Sequence, residues 1–122
     1  MNWINLTSEQ ELDKIKQESN TQPVLIFKHS TRCSISSMAK NRLDKAQAPE
    51  DILYYYLDLI QYRSVSNKVA EVFSVHHESP QVLLIKNGEC VYEESHNGIR
   101  MDDILEQLNL SNDKAFITPL SN

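Results

Sequence analysis

Cysteine is scarce in this chain. Cys33 and Cys90 are its only two in 122 residues, too few for the disulfide framework of a small secreted protein. No apolar run approaches the ~20 residues of a membrane-spanning helix, and the N-terminal Met1-Asn2-Trp3-Ile4-Asn5-Leu6 turns polar before a signal-peptide core forms. Basic residues number 12 against 17 acidic ones, a net charge of -5. The two signs are mixed with no basic stripe, which speaks against a nucleic-acid partner. A weakly acidic surface points to a soluble protein. The expectation is a cytoplasmic protein with neither nucleic acid nor membrane as partner. Thiols are held reduced in that compartment, so a cysteine there is inert core, catalyst or metal ligand more often than half of a structural disulfide. Repeats, low-complexity tracts and interdomain linkers are missing as well. The length suits one domain, expected over 1–110 with an irregular tail over 111–122, and the 40% hydrophobic content suffices for a two- or three-layer core.

The pattern of apolar residues orders the elements. Ser8 and Glu11 are spaced as a capping box before a helix with Leu12 and Ile15 on its thin apolar face. After Asn20-Thr21-Gln22-Pro23, the run Val24-Leu25-Ile26-Phe27 reads as a strand buried on both faces. The polar stretch His29-Ser30-Thr31-Arg32-Cys33 then leads into a helix with Ile35, Met38, Ala39, Leu43 and Ala46 on one face. A second strand lies within Ile52 to Ile60 and ends near Asp58, with Tyr54-Tyr55-Tyr56 decorating both of its faces. Val65, Val69, Val72 and Phe73 mark a third helix, and Gln81 to Ile85 a third strand. Asn87-Gly88 is a hairpin turn signal, since both positions need positive φ, and Glu89 to Glu94 is the return strand. Met101, Ile104, Leu105 and Leu108 mark a last helix. Helices connect the first strands, so these are parallel, and the second half is a hairpin. The fold class is α/β, with a central mixed sheet, a C-terminal β-hairpin and helices on both faces.

Cys33 falls where the buried strand gives way to a helix. Helix N-termini carry unpaired N–H groups and a partial positive charge, which favour thiolate, the reactive form, over thiol. Arg32 adds a cation next door, and Ser30, Thr31, Arg32, Ser34 and Ser36 make the neighbourhood polar and partly exposed. Ser36 stands one turn on, placed to donate a hydrogen bond to the Cys33 sulfur. In a C-x-x-C oxidoreductase that position holds the resolving thiol, so Cys33 has no local partner. It is suited to forming a mixed disulfide but not to resolving one at this site. The alternative is a small buried hydrophobe. Ser79-Pro80, directly before a strand, is either a plain strand boundary or a cis peptide.

The segment Ser79-Pro80-Gln81-Val82-Leu83-Leu84-Ile85-Lys86-Asn87-Gly88-Glu89 resembles the proline–strand–Asn-Gly–strand segment of thioredoxins, and the order from Ile4 to Leu110 is similar to the thioredoxin-like three-layer fold. Within that superfamily, Thr31-x-Cys33-x-Ile35-Ser36 resembles the T-x-C-P-I-S signature of the monothiol bacilliredoxins, the YtxJ family. Ser95-His96 and the segment Gln61 to Asn67 resemble that family too. Ser34 stands where the family usually has proline, which loosens the loop's pre-set φ. The resemblance implies a thiol–disulfide oxidoreductase that removes bacillithiol, or a similar low-molecular-weight thiol, from protein mixed disulfides. Cys33 would be the nucleophile, with Arg32 and Ser36 supporting its thiolate. A second thiol would regenerate it by exchange. Thr31, Ser79, a cis Pro80 and His96 would bind substrate. The partners implied are S-thiolated proteins and the small thiol as co-substrate, with no tightly bound cofactor and no metal.

Other residues carry weaker signals. Cys90 alternates with Tyr92 and Glu94 on one side and Val91 on the other; it is a packed strand residue or a distant resolving thiol. His76 and His77 are solvated side chains, a cation near the thiolate or metal ligands. Lys28, Arg32 and Arg100 are candidates to bind carboxylate groups of a thiol cofactor. Two other functions compete. Monothiol glutaredoxins share C-x-x-S and carry an iron–sulfur cluster between two subunits, but this loop lacks their Gly-Phe and the chain has only two glycines. A redox-inert binding module would make Cys33 structural.

Overall fold

The computed structural model describes residues 1–109; the irregular tail expected for 111–122 lies outside them. The elements run β1 (Trp3–Asn5), α1 (Glu11–Glu18), β2 (Val24–His29), α2 (Ser34–Lys45), β3 (Leu53–Asp58), α3 (Arg63–Val72), β4 (Gln81–Lys86) and β5 (Glu89–Ser95). A short 3-10 turn, His96–Gly98, follows, and then helix α4, described over 101–109. The strand order is β1-β3-β2-β4-β5. β1 and β2 run parallel to β3, while β4 is antiparallel to both β2 and β5. This is the mixed α/β sheet of a thioredoxin fold.

The period of two in β2 divides the core. Val24 and Ile26 face Leu12, Ile15, Val65 and Val69 of α1 and α3. Leu25 and Phe27 face Ala39, Leu43 and Ile104 of α2 and α4. All six residues of β2 are buried, as a central strand covered by helices on both faces requires. Tyr55 points into the first layer, Tyr54 and Tyr56 into the second, so the three tyrosines decorate both faces as their alternation foretold.

Several boundaries differ from the sequence reading. β1 is an extra strand, three residues long and too short for alternation to show. Trp3 anchors it, donating from Nε1 to Asp44 Oδ1 at 2.8 Å and meeting the rings of Phe27, Tyr54 and Tyr56. β2 runs on to His29, so the polar loop begins at Ser30. On α2 the inner stripe is Ser36, Ala39 and Leu43. Ile35 and Met38, expected inward, are 40% and 57% exposed, because the stripe repeats at i, i+3 and i+7 from Ser36. At α1 only half of the capping box forms. Glu11 Oε1 accepts the Ser8 N–H at 3.1 Å, while the Ser8 hydroxyl turns to that same carboxylate at 3.2 Å.

The hairpin turn follows its sequence signal. Asn87 and Gly88 have φ of 53° and 78°, the pair of positive angles a two-residue turn needs. α1 holds the turn in place: Asn87 N donates to Ser19 O at 2.9 Å and Gly88 N to Ser19 Oγ at 2.8 Å. A bulge then shifts the register, so that Leu84 faces Tyr92 but Ile85 faces Cys90. Cys90 therefore packs on the α1/α3 layer and Tyr92 on the α2/α4 layer. The shared side expected for the two is corrected by that one extra residue. A Cβ on Gly88 would meet nothing within 4 Å. Gly88→Ala should therefore cost only the left-handed backbone penalty, about 1 kcal/mol, read as a lower urea midpoint with an unchanged m-value.

Candidate active site

One end of the sheet collects the functional segments. Lys28 pairs with Gln81, His29 with Asp58, and Gln81 with Ser95. The loops that follow β2, β3 and β5, and the loop that precedes β4, therefore leave from the same edge. This is the carboxyl end of the parallel strands, where open α/β sheets place their sites.

Cys33 is the N-cap of α2, with extended φ and ψ of -111° and 123°. Its carbonyl accepts Ser37 N at 3.0 Å and starts the helix, and its N–H donates to Ser30 O at 3.2 Å. The thiol makes no capping hydrogen bond and is partly exposed and free. Around it Thr31, Arg32, Ser34 and Ile35 are exposed. A helix N-terminus favours an anionic group, so the position suits a sulfur that must carry charge during exchange.

Ser36 does not serve the sulfur in the way expected of it. It is fully buried. Its Oγ accepts Ser30 N at 3.0 Å and lies 2.7 Å from His29 Nδ1. A hydroxyl that already accepts one N–H has its own hydrogen left to give, and Nδ1 is the acceptor in reach. His29 is buried between the rings of Phe27 and Tyr56, with centroids at 5.6 and 5.5 Å. Burial, with the Lys40 charge, lowers its pKa below the ordinary histidine range, and the pull of Asp58 and of the Ser36 backbone only partly opposes this. The ring is neutral near pH 7. The Ser30 peptide is thus gripped at its N–H by Ser36 and at its C=O by Cys33. The sequence pattern assigns His29 to the polar loop and gives it no role, whereas the strand extends through it. The signal available was its distance of two residues from Phe27, which keeps it on the buried face of the strand.

The peptide before Pro80 is cis, the sharper of the two sequence readings. Pro80 is buried, and Ser79 Oγ is buried without a hydrogen-bond partner among the described residues. Pro80 O accepts His96 N at 3.0 Å, and Glu78 Oε2 lies 3.5 Å from His96 Nε2. Arg42 ties this loop to α2, donating to Ile99 O at 3.1 Å and His96 O at 3.3 Å. The structure thus joins His96, Glu78 and Pro80 at one edge; Glu78 and Arg42 were not foreseen. His76 is exposed, as solvated side chains are, whereas His77 is half-buried. Among the described residues no group of three His, Cys, Asp or Glu side chains is arranged to hold a metal ion. Arg32 and Arg100 are exposed.

Lys28 is not available to a cofactor carboxylate. It is fully buried, with Nζ 3.2 Å from His77 Nδ1. Burial lowers its pKa to about 8, although Glu93 pulls the other way. As the next residue of a strand with both faces covered, it has no route outward. Cys90 sits at the far end of the sheet: it pairs with Ile85, which pairs with Val24. Its thiol donates to Tyr92 O at 3.3 Å, and burial pushes its pKa up to about 11. It is a packed strand residue, placed away from Cys33.

A thiol at a helix start, at the same end of the sheet as a cis-proline loop, on this sheet topology, defines a thioredoxin-fold thiol protein. The model of the monothiol bacilliredoxin family BrxC matches residues 4–104, and the chain belongs to that family. Among solved structures, a protein described as an oxidoreductase with a thioredoxin fold is 32% identical, with a TM-score of 0.76 over 86% of this chain and 92% of that one. Thioredoxin from Trypanosoma brucei brucei has a TM-score of 0.72 at 10% identity, covering 92% of each chain. A thioredoxin mutant from Halobacterium salinarum gives 0.63 at 20% identity, over 88% of this chain and 87% of that one. These two show the fold. The family and the first of these structures support a thiol oxidoreductase role. No helix among the described residues is long and apolar enough to cross a membrane.

The buried lysine has a measurable signature. Unfolded Lys28 takes up a proton near 10.5 and folded Lys28 near 8. Between those values the unfolded state binds more protons, so this residue makes stability rise with pH. Lys28→Met lacks the cost, which is on the order of 3 kcal/mol below pH 8. The stability difference between wild type and variant should therefore move in favour of the wild type from pH 8 toward 10, read by urea unfolding at each pH. A constant difference would show that Lys28 keeps its charge at no cost.

Proposed function

We propose that this protein is a monothiol bacilliredoxin that removes bacillithiol, or a similar low-molecular-weight thiol, from protein mixed disulfides in a reducing cytoplasm. The observation that carries the reading is the isolation of Cys33. It is partly exposed at a helix start, its local partner position holds the buried Ser36, and Cys90 packs at the opposite end of the sheet.

The chemistry is two exchanges. The Cys33 thiolate attacks the small-thiol sulfur of the mixed disulfide. A Cys33 disulfide to the small thiol forms, the original S–S bond breaks, and the substrate protein leaves as thiolate and takes a proton. A second small-thiol thiolate then attacks that disulfide, frees Cys33 and departs as the symmetric small-thiol disulfide. In both steps the helix start favours the charge that the Cys33 sulfur carries, first as attacking and then as leaving group, with Arg32 as the adjacent cation. The Ser79 and Pro80 edge would receive the substrate backbone, and the unpaired Ser79 Oγ supplies a further polar contact. Thr31, in the Cys33 loop, and His96, with Glu78 beside it, would add contacts from the same end of the sheet. Nothing in this scheme needs a resident cofactor.

The test is transfer from a bacillithiolated model protein, read by mass spectrometry. Wild type and Cys90→Ser should acquire one bacillithiol on Cys33 and release free substrate thiol, while Cys33→Ser should do neither. Retained activity in Cys33→Ser, or dependence on Cys90, would overturn the reading.

A further inference from the structure

We infer that Lys28, together with Gln81 and Ser66, is a positioning device that grips the segment His76-His77-Glu78 from beneath and so sets the Ser79–Pro80 edge against the Cys33 loop. Three consecutive residues are held, each by a different atom. The His76 carbonyl accepts Gln81 Nε2 at 3.0 Å. The His77 ring takes Lys28 Nζ at 3.2 Å and has Ser66 Oγ at 3.5 Å. The Glu78 N–H donates to Gln81 Oε1 at 3.4 Å. Gln81 is itself steadied by Glu93 Oε2 at 2.9 Å. Lys28, Gln81 and Ser66 are each fully buried, so they are fixed by packing rather than by solvent-side geometry.

The placement is functional in its reach. Lys28 lies on the strand that ends in the Cys33 loop, and His77 on the loop that ends in Pro80. The bond between them links the two halves of the site directly, beyond the Lys28–Gln81 strand pairing. A buried amine is a costly way to fill this space, because an ammonium taken from water is penalised unless paired. Position 28 follows four apolar strand residues, and an apolar side chain there would bury without that cost. What the amine adds is a donor aimed at the loop. Its consequence for catalysis rests on the thiol-exchange reading of Cys33: the clamp governs how well an extended substrate docks, not how reactive the sulfur is.

The experiment uses the full chain with Lys28→Met and His77→Leu, each of which removes one end of the link, and His77→Asn, whose amide oxygen stands near the place of Nδ1. Hydrogen exchange followed by NMR should show the amides of 76–79 opening faster by about tenfold in Lys28→Met and His77→Leu, with β2 protection retained. His77→Asn should restore most of the protection. In thiol transfer, KM for the S-thiolated protein should rise about fivefold in the first two variants while kcat and the rate of Cys33 alkylation by iodoacetamide stay within about twofold. Unchanged exchange of 76–79 in both variants would overturn the clamp, as would a loss confined to kcat and alkylation. Absence of transfer in the wild type would instead remove the bacilliredoxin reading, and the exchange data would still decide the clamp.

Discussion

Strand β2 carries the whole arrangement. Helix layers cover both of its faces, yet its last two residues are Lys28 and His29, and both are buried. A polar group under those conditions must find a partner or change its protonation. Each does so by reaching into a different loop. His29 meets Ser36 on the α2 side, which fixes Ser30 and the turn that carries Cys33. Lys28 meets His77 on the α3 side, which fixes the approach to Pro80. One strand end thus holds the Cys33 loop with one side chain and the approach to Pro80 with the other.

This arrangement gives the serine at the resolving position a structural meaning. A hydroxyl there takes an N–H and reaches an imidazole in a fully buried setting, and a thiol is a weaker donor and acceptor for both tasks. In the proposed exchange, a serine rather than a cysteine at position 36 leaves Cys33 to an external thiol. The presence of Ser36 keeps its loop in register. Cys90, lodged behind a bulge on the far side of the hairpin, is separated from Cys33 by the length of the sheet.

The sequence makes the frame readable and the site only in part. Long periodic segments carried the architecture: the apolar run of β2, the valines of α3 and the Asn87-Gly88 turn each obey a strong local rule. The position of Cys33 and the cis Pro80 followed from a short motif and its neighbours. The rest depends on contacts between residues far apart in the chain. Ser36 with His29, Lys28 with His77 and Glu78 with His96 have no signature in spacing, because the register of the sheet creates them. Burial of Lys28 is the one element open to inference, since a residue that continues a doubly covered strand inherits its covering. The bulge that separates Cys90 from Tyr92 breaks the very alternation on which a sequence reading relies.

The buried end of β2 holds the Cys33 loop through a neutral His29. Heteronuclear NMR of the imidazole nitrogens tests it most directly, in wild type and in Ser36→Ala. The His29 ring should stay neutral until the pH falls below the ordinary value of 6.5, with Nδ1 bare and hydrogen-bonded. Ser36→Ala should remove that bond and expose the Ser30 amide to exchange. A proton on Nδ1 at neutral pH, or a Ser30 amide indifferent to the loss of the hydroxyl, would contradict it.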